Sequence, residues 1–157
     1  MTLYLPIGPP ASGKSFLVNQ TIEAGVITRD AVICPDDLRR IMTGDHASQD
    51  ANVGVFTIVE IIAKARLCRG LDVWVDATNL VGRETFLRIA KEHSQPVVRI
   101  LMTTTDWVCL QRNDARNKPV PNDVMLRMLA EWALYADGID PNGNHITDLQ
   151  WKEQLDG

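Results

Sequence analysis

Eight residues near the amino terminus, Gly8-Pro9-Pro10-Ala11-Ser12-Gly13-Lys14-Ser15, constrain this chain more than any others. They match G-x-x-x-x-G-K-[ST], the phosphate-binding P-loop. Their setting fits the motif. Residues 3–7 ahead form an apolar run suited to a buried strand, and residues 16–20 behind read as the opening of a helix. Glycines let backbone N–H groups turn inward around phosphate oxygens, and the helix N-terminus adds the positive end of its dipole. Lys14 is placed to reach the β- and γ-phosphates and the Ser15 hydroxyl to sit on Mg²⁺. Gly8, Ser12, Gly13, Lys14 and Ser15 are therefore the expected binding residues for a nucleoside triphosphate. The competing reading, a glycine turn capping an ordinary helix with Lys14 merely solvated, is disfavoured by the strand and helix on either side.

At 157 residues the chain suits one domain, residues 1–157, with a sizeable core. A net charge of −4 excludes a uniformly basic nucleic-acid binder but leaves a local basic groove open. Cys34, Cys68 and Cys109 are odd in number and lack C-x-x-C spacing, so reduced core thiols in a cytoplasmic protein are expected. The short apolar run before the P-loop lacks a signal-peptide layout. No stretch has the unbroken apolar length of a membrane span. His46, His93 and His145 show no ligand spacing. Trp74, within an apolar strand, is expected in the core, whereas Trp107, Trp132 and Trp151 are ambiguous.

Strands and helices alternate along the rest of the chain. Residues 31–34 read as a second strand, which Pro35 ends, and an aspartate can cap the helix that follows. Residues 44–52 are polar and turn-rich, a surface loop. Helical spacing returns over 53–69, with Gly70 as a stop. Residues 72–76 are a third strand ending in Asp76, 83–93 a helix, and 97–102 a fourth strand. Residues 103–106 supply a cap for a helix over 107–115, and a last helix runs over 122–135. Residues 137–157 form a tail that could hold one short strand near 145–149. The pattern predicts an α/β P-loop kinase fold: a mostly parallel sheet of four to five strands with helices on both faces. Ligands in such sheets bind at the carboxyl ends of strands.

The acidic candidates fall at such ends. Asp36, Asp37, Arg39 and Arg40 follow the second strand. Phosphoryl transfer to a hydroxyl needs a carboxylate to orient or deprotonate it, and an arginine one turn later could hold an anionic acceptor. Alternatively, Asp36 caps a helix and the arginines are a solvated face; spacing leaves both readings open. Asp76 occupies the position of a Walker-B aspartate, which holds Mg²⁺ or a water on it, although strands also end in Asp at plain turns. Turn chemistry accounts adequately for Thr78 and Asn79. Arg112 and Arg116, four apart, share a helix face and with Lys118 precede a proline-limited break, as in a lid over phosphates. As an isolated pattern, two helical arginines more often face solvent than act in catalysis.

These stretches together carry a resemblance. The P-loop, Pro35-Asp36-Asp37-Leu38-Arg39-Arg40, Val75-Asp76-Ala77-Thr78-Asn79 and Gln111-Arg112-Asn113-x-x-Arg116-x-Lys118-x-Val120-Pro121 occur in the order and rough spacing of the phage polynucleotide 5′-hydroxyl kinases. The similarity covers roughly residues 2–135. It implies transfer of the ATP γ-phosphate to the 5′-hydroxyl of DNA or RNA ends, with Mg²⁺, in nucleic-acid end repair. Asp36 then resembles the general base. Arg39, with Thr78, resembles the acceptor-binding groups, Arg39 gripping a 3′-phosphate. Arg116, with Arg112 beside it, resembles the lid arginines on the ATP phosphates. Asp76 holds the metal through water. Self-association through this domain and, for a phage-encoded chain, location in the host cytoplasm are further expectations. Many family members join the kinase to a 3′-phosphatase, and no D-x-D-G-T motif is present here.

Two rivals stand beside this reading. One is a P-loop kinase acting on a small-molecule or nucleotide acceptor, with Arg39 gripping a phosphorylated metabolite. The other is a nucleotide-dependent switch, which has no use for Asp36 or paired lid arginines and lacks an N-K-x-D guanine-reading signature.

Overall fold

A computed structural model describes residues 1–136. The elements follow in the order β1 (Leu3–Ile7), α1 (Lys14–Glu23), β2 (Val32–Ile33), α2 (Pro35–Thr43), α3 (Asn52–Leu67), β3 (Val73–Val75), α4 (Arg83–Glu92), β4 (Val97–Leu101), α5 (Asp106–Asp114) and α6 (Asn122–Ala136). The strand expected near residues 145–149 lies outside the described residues.

The four strands lie in the order β2-β3-β1-β4 and every pairing is parallel. Period-two alternation sends β1 and β3 side chains to two different cores. Leu3, Leu5, Ile7, Val73 and Val75 pack with Val55, Val59, Ala63 and Leu67 of α3 and Phe86, Ile89 and Ala90 of α4. On the other face Tyr4 and Trp74 stack at 5.5 Å and pack with Val18 and Leu17 of α1. Helices thus cover both faces, which is the predicted α/β arrangement. A third, smaller cluster of Cys109, Met125 and Leu129 joins α5 to α6.

Pro6 is fully buried in the central strand, a position that proline normally avoids. Its tolerance has a local cause. The register of β1 with β3 runs only through Leu3↔Val73 and Tyr4↔Trp74, while β1 stays paired with β4 through Ile7↔Leu101. Beyond Tyr4 the β3 side of β1 is served by a side chain. Asn79, buried and in the left-handed region at φ 52°, places its amide nitrogen 2.8 Å from the Pro6 carbonyl oxygen, 2.9 Å from that of Val75 and 3.2 Å from that of Ala77. It ties the carboxyl ends of the two strands together where ladder bonds stop. Asn tolerates this φ better than other non-glycine residues.

Several local expectations change. The aspartates do not cap α2: Cys34 is the N-cap, Pro35 stands at the first helical position, and Asp36 and Asp37 lie within the first turn, where they complement the helix dipole. Arg116 is not on the α5 helix face with Arg112, because the helix ends at Asp114 and Arg116 falls in the turn beyond. Cys109 is buried, but Cys34 is half-buried and Cys68 exposed. Trp74 is in the core, and Trp107 is 67% exposed.

Asn79→Ala removes the donors that join the two strand ends and leaves an alanine at positive φ. The expected loss is about 2–4 kcal/mol in unfolding free energy, read from the shift in urea midpoint. A loss within measurement error would show that the strand ends hold without this side chain.

Candidate active site

The loop between β1 and α1 takes its shape from two unusual backbone positions. Ala11 has φ 61° and Gly13 φ 99°, and the helix begins immediately after. Gly8 is required for a different reason: a Cβ there would lie 2.8 Å from Met102 Cβ. The loop is hung from its surroundings at several points. The Gly8 N–H donates to the Thr78 carbonyl at 3.1 Å, the Thr104 hydroxyl donates to the Ser12 carbonyl at 2.7 Å, and an Arg112 guanidinium N–H reaches the Ala11 carbonyl at 3.4 Å. Thr104 was expected to help cap α5; its hydroxyl instead supports the P-loop.

Lys14 lies inside the loop, 8% exposed, with Nζ 3.1 Å from the Gly8 carbonyl oxygen, 2.6 Å from that of Pro9 and 3.3 Å from Ser12 Oγ. All three ammonium N–H bonds have an oxygen within reach. Burial nevertheless pulls its pKa from the usual 10.5 down to about 8; the carboxylates of Asp76 and Asp36 pull it back up and the Arg116 guanidinium pushes it further down. Asp76, Asp36 and Arg116, three of the charged groups named from the sequence, are therefore near enough for their charges to act on this one amine. Ser15, next in the chain, donates its hydroxyl to Asp76 Oδ2 at 3.2 Å. Burial holds the Asp76 carboxyl above the usual carboxylate range; the Ser15 hydroxyl and Lys14 lower it, and the charges of Asp36 and Asp37 raise it. Asp76 follows β3 directly, so β1 and β3 together deliver the hydroxyl, the ammonium and the carboxylate to one place.

Asp36 is exposed at the start of α2 and forms a close ion pair with Arg39. Arg39 is not on a solvated face. It is 9% exposed, its Nε and Nη2 lie 2.9 Å and 2.7 Å from Asn52 Oδ1, and its guanidinium carbon sits 5.8 Å from the centre of the Phe56 ring. Arg40, with a loose 3.8 Å contact to Asp37, is the solvated member of the pair. Thr78 is half-buried, and its structural part is played by its backbone carbonyl.

Beyond α5, Arg116 and Lys118 are exposed on a short turn closed by Asn113. This asparagine, with no exposed surface, donates Nδ2–H to the Val120 carbonyl at 2.9 Å and accepts the Val120 N–H at 3.0 Å. Lys118 reaches Asp45 at 3.7 Å, joining this turn to the segment between α2 and α3. Asn52, Asn79, Thr104 and Asn113 are the residues that sequence reasoning passed over. Asn113 and Asn79 carried a signal, since they sit within the R-N-x-x-R and Val75-Asp76-Ala77-Thr78-Asn79 stretches.

The chain matches the AAA-domain family over residues 3–135. It belongs to that family. No curated protein matches it. Among solved structures, the AAA domain described here is similar to a chain in "Structure of the Pnkp1/Rnl/Hen1 RNA repair complex", with TM-score 0.69 and 20% identity over 99% of this chain and 52% of that one. A chain in "Structure of Pnkp1/Rnl/Hen1 complex" gives TM-score 0.59 and 22% identity over 77% of this chain and 41% of that one. A gluconokinase from Sinorhizobium meliloti 1021 gives TM-score 0.51 and 15% identity, covering 83% of this chain and 73% of that one. The chain spans about half the length of the first of these. At these identities the likeness shows the fold, a P-loop kinase-type AAA domain.

The Lys14 environment has a measurable consequence. Below pH 8 both folded and unfolded chains carry the charge, and the fold bears the full burial cost. Between pH 8 and 10.5 the folded chain gives up its proton first, so stability from this group rises with pH. The melting temperature of ligand-free Lys14→Met, taken relative to wild type, should therefore be highest at neutral pH and fall between pH 8 and 10.5 as the wild type gains stability. Calorimetry across that range tests it, and a variant that gains on wild type as pH rises would refute the burial cost.

Proposed function

We propose that this AAA domain transfers the γ-phosphate of ATP to the 5′-hydroxyl of a DNA or RNA end. One observation carries the reading: an exposed carboxylate, Asp36, is paired with a buried arginine and lies near enough for its charge to act on both the P-loop amine and the Asp76 carboxylate. A domain that only binds nucleotide has no need of this second carboxylate. The similarity to chains of RNA repair complexes supports a nucleic-acid acceptor.

In this reading the loop amides and Lys14 hold the β- and γ-phosphates. Ser15 Oγ and Asp76 Oδ2, 3.2 Å apart, are hard oxygens suited to Mg²⁺, which takes one or two protein ligands and fills its shell with phosphate and water. Among the described residues no larger His, Cys, Asp or Glu cluster that could hold a metal is present, and this site needs none. Mg²⁺ held there would neutralise charge on the phosphates. Asp36 accepts the proton of the acceptor hydroxyl as its oxygen bonds to the γ-phosphorus, and the bond to the bridging oxygen of ADP breaks. Arg112, already on the P-loop, and Arg116, whose charge reaches Lys14, stabilise negative charge on the transferred group. Arg39 has five N–H donors, of which three contact Asp36 and Asn52, leaving two for an anionic acceptor.

The gluconokinase likeness favours a second reading, a small hydroxylated acceptor. Transfer of label from γ-labelled ATP to a 5′-hydroxyl oligonucleotide, run beside gluconate and simple nucleosides, separates the two. Label on the oligonucleotide is the expected result. Label only on a small alcohol would move the assignment to the second reading. Asp36→Asn should lower kcat by roughly 10²–10⁴ with KM for ATP nearly unchanged. Arg116→Ala should lower turnover by about 10³ and barely move the melting temperature, because the side chain is exposed.

A further inference from the structure

The segment between α2 and α3 reads in the sequence as a polar loop, yet it forms a continuous hydrogen-bonded chain that ends on the proposed base. Gln49 Nε2–H donates to the Ala47 carbonyl at 3.3 Å. The Gln49 side-chain oxygen accepts from Asn52 Nδ2 at 2.6 Å. Asn52 Oδ1 accepts both Arg39 Nε–H and Nη2–H, and Arg39 Nη1–H goes to Asp36 Oδ1. The direction of the Asn52 amide is dictated chemically. A guanidinium has only donors, so the oxygen must face Arg39, and the Nδ2 then faces the Gln49 oxygen. The Phe56 ring covers the guanidinium from one side and the helix backbone holds its own end, since the Thr43 hydroxyl donates to the Arg39 carbonyl at 2.9 Å.

We infer that Asn52 is a positioning residue for the phosphoryl-transfer step: it fixes the Arg39 fork so that one N–H stays on Asp36 and the carboxylate is held towards the acceptor hydroxyl. The inference rests on Asp36 being the base of the proposed kinase. An arginine side chain has several rotatable bonds, and an ion pair with an exposed carboxylate does not by itself hold both partners in one geometry. Two bonds into one oxygen on the opposite edge of the guanidinium remove that freedom. Asn52 opens α3, so the angle of the longest helix among the described residues bears on where the proposed base points.

The test joins a contact measurement to kinetics. In the wild type the Arg39 Nε–H should give an exchange-protected ¹H–¹⁵N resonance, assigned by its loss in Arg39→Lys. Asn52→Ala should abolish that protection and lower kcat for the oligonucleotide roughly 10- to 100-fold, with KM for ATP unchanged. Asn52→Asp keeps an oxygen facing Arg39 and should restore both readouts to within a few-fold. In an Arg39→Ala background, Asn52→Ala should cost nearly nothing further. The inference is overturned if Asn52→Ala keeps the protected resonance, if it loses it with kcat unchanged, or if the losses at Asn52 and Arg39 simply add. A wild type that labels no 5′-hydroxyl end would overturn the kinase reading, while the resonance would still decide the contact.

Discussion

A cation out of water must be surrounded by oxygen, and much of this site follows from meeting that demand for Lys14. The amine is ringed by the Gly8 and Pro9 carbonyls and the Ser12 hydroxyl, so the loop has to curl around it. A loop in that shape is not self-supporting. It is held by Thr78 through the Gly8 amide, by Thr104 through Ser12 and by Arg112 through Ala11, which brings in groups from beyond β3, beyond β4 and from α5. The same burial leaves the amine less willing to stay charged, a tension that anionic oxygens at the loop would relieve.

The boundaries of the helices and the parallel sheet were legible because they depend on local pattern. Alternating apolar residues in β1 and β3, helical spacing in α3 and α4, and glycines at the stops each act over a few residues. The P-loop, Asp36 and Asp76 were legible because each sits at the carboxyl end of a strand. Asn79 and Thr104 were not. Each is an ordinary turn residue in one dimension, and the acceptors that define them, the Pro6 and Ser12 carbonyls, lie 73 and 92 residues away. Arg39 shows the limit most clearly. Its spacing from Asp36 fits both a solvated face and a site, and only the packing of Phe56 and Asn52 decides that it is buried.

Asparagine does similar work at two distant places. Asn79 replaces the missing ladder between β1 and β3, and Asn113 makes a two-way bond with Val120 that closes the turn bearing Arg116 and Lys118. An amide side chain carries a donor and an acceptor on one rigid plane, which lets it stand in for a backbone unit where the chain has left regular structure. Membership of the AAA-domain family and the likeness to kinase folds account for the frame. These asparagines account for how the frame presents its charges.

The strand that leads into the P-loop is made first and completed late. β1 lies between β3 and β4, so both of its neighbours are synthesised only after α1, α2 and α3. On the ribosome the first strand of this sheet therefore emerges without a strand partner; its Leu3, Leu5 and Ile7 gain cover from α3, β3 and α4 in turn, and the β4 edge is paired only once residues 97–101 have left the exit tunnel. The sheet then closes around its oldest segment. The phosphate loop consequently gains its last supports, Thr104 on Ser12 and Arg112 on Ala11, only after β4 and α5 have emerged, and a nascent chain ending before β4 carries the motif without them.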